Sequence, residues 1–493
     1  MSRGADRSVD VTDGGLFKPL LVLSLPIVAA QVLHVGYNLA DTYWVGRLGS
    51  EAIAALTYSW AIVFLMLSVG GGLTVAGTVL VAQHKGAGNL DRSSHVAGQT
   101  LSFVTIVAVA LAISGWLLSP RLMWLVGAEP GSNAFEYAVS YTRIIFVGAI
   151  FMFWFFIFDA LSRGWGDTRT PLYLMVVSVT LNVVLDPFLI LGFDGNPVFG
   201  WVGAADLQTS LYGVTGFDGW GVEGAAIATV FSRGLAATAG LYLLFTGRVG
   251  LEPTVEDLWL RRETVATIVD IGAPTAVEQG FRSFGITVLT AVIALTGEDA
   301  VAAYGIATRL SSLLFMPALG LARGTETVVG QNLGANQPAR AKRAVALSSA
   351  IIVATFVVLV TAAYPHAEAI AGFFIEGDES GQVIEYGAAF IVIAGPAYVL
   401  LGVFQIMLGG LRGSGSTRAA MVLSIQELWL WRIPIAVITI VVLGTSVVGV
   451  WYAIALSYVF STVVTGIWVI RGNWTESVIE DPETDAHALT TAD

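Results

Sequence analysis

Cysteine is absent from the 493 residues, which removes disulfides, thiolate metal sites and thiol catalysis from consideration. Charge is scarce: 12% of residues are Asp, Glu, Lys or Arg, where a soluble domain carries about a quarter. Lysine is nearly missing, with Lys18, Lys85 and Lys342 alone among 24 basic residues. There is no His-Glu-x-x-His, no nucleotide-binding glycine loop and no paired acid motif for divalent metal, so an enzyme is not expected. The short alternating segments of a membrane β-barrel are also lacking. The first sixteen residues do not have the basic start, short apolar core and small-residue cleavage site of a secretory signal.

What fills the chain is apolar: 55% of residues, gathered in blocks of twenty or more. Each block can cross ~30 Å of hydrocarbon as a helix. Turn signals between blocks predict helices near 17–46, 51–83, 95–118, 137–163, 171–193, 221–246, 264–295, 300–331, 342–363, 383–411, 417–443 and 446–471. The reading is an all-α integral membrane protein of twelve transmembrane helices. Sixteen basic residues fall at the termini and in the even-numbered connections, and two, Arg47 and Arg121, on the other side. That asymmetry puts both termini in the cytoplasm of a multi-pass protein of the cell membrane. The acids after Arg471 (Glu476, Glu480, Asp481, Glu483, Asp485 and Asp493) read as an acidic cytoplasmic tail. Net charge of −12 with few lysines also fits adaptation to high salt, as in haloarchaea. The outer connection 194–220 has no basic residue and several large aromatics; it reads as a cap packed on itself, with substrate gating as the alternative.

The chain repeats internally. Pro26 matches Pro274, Glu51-Ala-Ile-Ala-Ala55 matches Asp299-Ala-Val-Ala-Ala303, and Gln83 and Gly86 match Gln331 and Gly334, all 248 residues apart. Gly164-x-Gly166-x-Thr168-Arg169 matches Gly413-x-Gly415-x-Thr417-Arg418 at 249. Six helices per half make the repeat parallel, a transporter architecture. The expected organisation is a segment 1–16, a six-helix lobe 17–246, a cytoplasmic linker 247–263, a second lobe 264–471 and a tail 472–493.

Ionisable groups inside a membrane usually mark a pathway. At ~1.5 Å per residue, Asp41, Asp186 and Thr229 come from three helices to one level near the outer side. Asn182 and Asp186 share a helix face, as do Ala225 and Thr229. Carboxylate, amide and hydroxyl oxygens suit a hard cation such as Na⁺, and two close carboxylates can instead share a proton. The residues leave the choice between H⁺ and Na⁺ open. Pro26 could be a static bend or a hinge in the first helix. Gln31, His34, Tyr37, Asn38, Met66, Met152, Trp154, Glu278 and Met316 are candidates for a substrate pathway, since aromatic and Met walls suit varied organic cations. Glu278 and Glu427 are expected to pair with Arg282 and Arg432, and most of the six intramembrane arginines (Arg143, Arg233, Arg282, Arg309, Arg323, Arg432) to have acids nearby.

The segments Pro26…Asp41…Gly46-Arg-Leu-Gly49…Ala54-Ala55, Gln83…Gly86, Gly-Trp-Gly-Asp-Thr-Arg-Thr-Pro at 164–171 and Gly224-Ala-Ala-Ile-Ala-Thr229 resemble the multidrug and toxic-compound extrusion (MATE) family over roughly residues 15–470. The acids of the first lobe look most like its DinF-like branch, in which the positions of Asp41, Asn182, Asp186 and Thr229 are implicated in cation binding. The resemblance implies two lobes in a V and export of amphipathic, often cationic compounds against H⁺ or Na⁺ influx by alternating access. It implies no cofactor beyond that ion; the lipid bilayer and small organic compounds are the expected partners, nucleic acid is not, and the chain is read as a monomer. A major-facilitator transporter would carry Gly-x-x-x-Asp-(Arg/Lys)-x-Gly-(Arg/Lys) after helix 2, which Gln83-His-Lys-Gly-Ala-Gly-Asn does not fit. A lipid-linked sugar flippase would want a basic central cavity, and a channel would conduct without coupling.

Overall fold

The computed structural model describes residues 8–374, 381–472 and 474–479. Glu480, Asp481, Glu483, Asp485 and Asp493 of the tail, with Arg3 and Arg7, lie outside the described residues. Twelve long helices run α1 Phe17–Gly46, α2 Ser50–Gly86, α3 Leu90–Leu125, α4 Asn133–Trp165, α5 Arg169–Leu191, α6 Gly221–Phe245, α7 Arg262–Ala294, α8 Glu298–Gly334, α9 Pro338–Ala363, α10 Gly381–Gly413, α11 Thr417–Val442 and α12 Val448–Arg471. The expected spans agree to within a few residues except for α3, which outlasts its apolar run at both ends. Its first turn carries Asp91 and Arg92 ahead of the apolar run, and after Pro120 and Arg121 it continues to Leu125. Eleven of the twelve are apolar enough along their length to be recognised as spans; α7, which carries Glu263, Asp270, Glu278 and Arg282, is not. Packing rather than hydropathy makes α7 a crossing, because its neighbours α2 and α11 cover it.

Each half has its own core. One is built from α1 to α6 around Phe153, Phe158 and Tyr141, the other from α7 to α12 around Trp451, Phe404 and Tyr398. The halves meet as a parallel pair of six-helix lobes, through α1 against α8, α2 against α7, and α2 against α8. Under a 1↔7, 2↔8 exchange the first two contacts are the same contact.

The seam lies toward the face where α1 begins and α12 ends, called here the terminal face. Glycine makes it possible. A Cβ on Gly86 would stand 1.9 Å from the Gln331 carbonyl oxygen, and one on Gly334 would stand 1.9 Å from that of Gln83. Side-chain amides cross in the same reciprocal way: Gln83 Nε2 donates to Gly413 O (3.2 Å) and Gln331 Nε2 to Gly164 O (2.8 Å). The repeated Gln…Gly pairs are therefore the two halves of one interlock.

Two straps cross between lobes. The segment before α1 docks on the second lobe, where Asn332 Nδ2 and Arg340 Nε donate to Val11 O (both 3.1 Å). The linker before α7 docks on the first, where Gln99 Nε2 donates to the carbonyls of Asp257 (2.7 Å) and Trp259 (2.6 Å). At the opposite face, the connection 194–220 forms two short helices, Pro197–Trp201 and Ala205–Thr215. Phe188, Phe193, Phe199, Phe217 and Trp220 join edge to face beneath them, and Trp201 lies on Trp44.

Asp257 is held below its ordinary pKa. Partial burial opposes this, but the Thr254 N–H and hydroxyl and the His95 ring, whose Nδ1 is 2.7 Å away, outweigh it. A depressed carboxylate stabilises above its unfolded value of about 3.9, and that contribution disappears as pH falls through the lower folded value. Asp257→Asn should therefore lower the melting temperature at pH 7, with the gap to wild type closing by about pH 3. A gap independent of pH would contradict this. Gly334→Ala should cost about 1–3 kcal/mol by overpacking and open the seam. Because the chain has no cysteine, one introduced at buried Ala82 can report the opening as faster maleimide labelling.

Candidate functional site

Three helices of the first lobe bring polar side chains to one buried point. On α1, Tyr37 and Asp41 are four apart and so share a face, with Asn38 beside them. On α5, Asn182 and Asp186 are likewise four apart, and Pro187 follows directly. Thr229 comes from α6. Asp41, Asn182, Asp186 and Thr229 are all at most 3% exposed.

Their contacts form a short chain. Tyr37 Oη and Thr229 Oγ1 are 2.8 Å apart, and Asn182 Nδ2 reaches both Asp186 Oδ1 (3.1 Å) and Thr229 Oγ1 (3.5 Å). Asp41 is within electrostatic reach of Asp186, Tyr37 and Tyr141. The bonds do not satisfy the site. Asn38 Oδ1, Asp41 Oδ1, Asn182 Oδ1 and Asp186 Oδ2 are buried with no hydrogen-bond partner among the described residues. A buried acceptor left bare costs about 1–3 kcal/mol, more when charged. Four such oxygens around one point suit a guest that is a hard cation or a proton.

Below this cluster a narrow cavity of about 30 Å³ is lined by His34, Tyr37, Trp60, Tyr141, Met152, Phe156, Thr229 and Arg233, among others. The remaining candidates scatter. Met66 is sealed in the lobe core, and Ala225 is fully buried. Trp154 turns to α3, where its Nε1 donates to Thr105 Oγ1 (2.9 Å). Gln31 and Met316 are half-buried. Pro26 lies within unbroken α1.

The pattern of the MatE family matches residues 26–188 and again residues 274–438, so two copies together cover two-thirds of the chain. The chain belongs to the MatE family. The probable multidrug resistance protein YoeA of Bacillus subtilis is 26% identical over 453 residues, 90% of this chain and 92% of that one. An FAD transporter of Shewanella oneidensis is 28% identical over 431 residues, covering 87% and 88%. A multidrug resistance MATE family transporter solved in an outward-facing conformation shares the fold, with a TM-score of 0.84 at 24% identity over 95% of this chain and 98% of that one.

The two MatE copies begin at Pro26 and Pro274, as the repeat does. Chemically they have diverged. Asp41 corresponds to Leu289, and the α11 stretch from Trp431 to Ala436 that answers to Asn182–Pro187 holds Arg432 and no acid. There α11 departs from α geometry in π turns over Glu427–Arg432 and Ile438–Val442. The second lobe instead buries ion pairs.

Glu278 does not pair with Arg282. It bonds Arg412 Nη2 through Oε1 (2.6 Å), because its face of α7 looks across to the end of α10 rather than along its own helix. Glu427 does pair with Arg432, and both its Oε1 and Arg432 Nε also meet Ser457 Oγ. The expectation that most intramembrane arginines have acids nearby fails. Of the six, Arg432 alone forms an ion pair among the described residues, and Arg323 is within reach of Asp159 and Glu326. Arg143, Arg233 and Arg282 lie over aromatic rings instead, since helix faces rather than sequence distance decide their neighbours. Tyr141 escaped the sequence reading altogether: it sits on α4, whose apolar run gives no sign of which Tyr turns inward.

Asp186→Asn gives Asn182 a neutral neighbour and removes a buried charge. In detergent without Na⁺ it should leave the melting temperature equal or higher. A clear drop would mean that the carboxylate is structurally satisfied as it stands.

Proposed function

We propose that this MatE protein exports small amphipathic or cationic organic compounds from the cell, in exchange for H⁺ or Na⁺ held by Asp41, Asn182, Asp186 and Thr229. The observation that carries the reading is the set of four unpartnered buried oxygens on α1 and α5. In a low-dielectric interior they favour whatever neutralises them, so ion binding is worth free energy that the lobes can spend on rearranging. Ala225, one turn from Thr229, is fully buried on the same face of α6. The relatives named for multidrug resistance and for FAD transport support organic compounds as cargo.

Both termini are read as cytoplasmic, from sixteen basic residues against two. On that reading the glycine seam closes the cytoplasmic side and the lobes part toward the outside. Pro26 is where α1 changes allegiance. Before and just after it, Ser24 and Val28 press on Gly324 and Gly320 of the second lobe, while Tyr37 and Asp41 belong to the site. A proline there leaves the i−4 carbonyl free and supplies a hinge between the two segments. His34, Tyr37, Asn38 and Met152 are the better candidates for cargo contact. Gln31 and Met316 would meet cargo only between the lobes, and Glu278, bound to Arg412, is a structural partner in this state.

The test is dye efflux from proteoliposomes under an imposed Na⁺ or H⁺ gradient. Asp41→Asn and Asp186→Asn should each reduce gradient-driven efflux by at least about tenfold, the equivalent of one charge-assisted contact. Pro26→Ala should slow turnover while ion binding survives. Full activity in both carboxamide variants would dispose of the site.

A further inference from the structure

The chain after α12 also crosses between the lobes. It turns at Gly472 (φ +80°), and buried Trp474 anchors it in the second-lobe core, its Nε1 donating to Val469 O (2.9 Å). Val478 then lies over Gly415, where a Cβ would stand 2.8 Å from its Cγ2. From there the segment reaches the first lobe. Ser477 Oγ (3.0 Å) and Val478 N (2.9 Å) both donate to Gln83 Oε1. This is the amide whose Nε2 already bonds Gly413 O across the seam. Ile479, half-buried, packs on an apolar cluster that includes Leu80 of α2, Val96 of α3 and Ile268 of α7.

The strap before α1 makes the matching contacts in the other half. Val9 N donates to Gly166 O (3.1 Å), and Gly166 is the repeat partner of Gly415. Val11 packs with Val328 and Ala344, which stand 248 residues after Leu80 and Val96. Each of these two segments thus pins a Gly-x-Gly turn of one lobe to α8 or α2 of the other. They differ in strength. Val11 is fully buried and its carbonyl accepts two bonds, whereas Ser477 and Val478 are exposed. Exposed hydrogen bonds and few apolar contacts mark the segment that opens first. We propose that residues 477–479 are a releasable latch, hinged at Trp474, that holds the seam shut until it leaves Gln83 and the apolar cluster. Gln83 cannot part from Gly413 while the same amide is tied to a segment seated on Gly415. The inference rests on the reading that the seam opens as the lobes exchange access, and not on which ion or cargo is carried.

Maleimide labelling of a single cysteine at Ala82 in the full-length chain tests it. Ala82 is on the seam: a Cβ on Gly330 would stand 2.8 Å from its own. Ile479→Asp puts a charge where the latch grips, and should raise the labelling rate about tenfold, in line with two exposed hydrogen bonds and a half-buried Ile. Ile479→Val should stay within about twofold of the parent, and Ser477→Ala, which removes one of the two bonds, should fall between. A latch that is not part of the folded core should leave the melting temperature of Ile479→Asp within about 3 °C of the parent. The same acceleration is expected in an Asp41→Asn background, so an error in the ion site leaves this test standing. A parental labelling rate in Ile479→Asp would overturn the proposal. So would faster labelling together with a large fall in melting temperature, because the segment would then be an ordinary piece of the fold.

Discussion

Two helices from different halves of the chain, α2 and α8, approach so closely at the terminal face that a single methyl group would collide with a carbonyl. Everything else in the architecture is arranged around that approach. It requires glycine at 86 and 334, and it requires the exposed carbonyls of Gly164 and Gly413, at the ends of α4 and α10, to be met by amides. Between lobes in a membrane there is no solvent to satisfy such groups, so Gln83 and Gln331 each do it for the opposite lobe.

The duplicated lobes share a frame but not a chemistry. The first keeps carboxylates with free oxygens beside a cavity. The second holds buried charge in ion pairs, Glu278 with Arg412 and Glu427 with Arg432. Even there Glu278 Oε2 and Glu326 Oε1 are buried with no hydrogen-bond partner among the described residues.

Much of this was legible in the residues. Block length and turn residues located all twelve helices, and the 248-residue repeat matched Gln83 and Gly86 with Gln331 and Gly334 but not the contact between them. Helical rise and i, i+4 spacing, together with the family resemblance, pointed to Asp41, Asn182, Asp186 and Thr229. What could not be read was azimuth across helices. Tyr141 and Arg233 come to the site from helices whose apolar faces all look alike in sequence, and Glu278 chose a partner 134 positions away over one four positions away. Hydropathy also undersold α7, where Glu278, one of the charged groups that lower its score, is buried against Arg412 of α10.

The straps bear on the order of assembly. The segment through Val9 and Val11 precedes α1, yet Asn332 and Arg340, which hold it, are made some three hundred residues later. The linker at Asp257 has no such delay, because His95 and Gln99 are made before it. The first lobe can thus be clasped during synthesis as soon as the linker follows it, while the strap before α1 finds its partners only once α8 and α9 have been made.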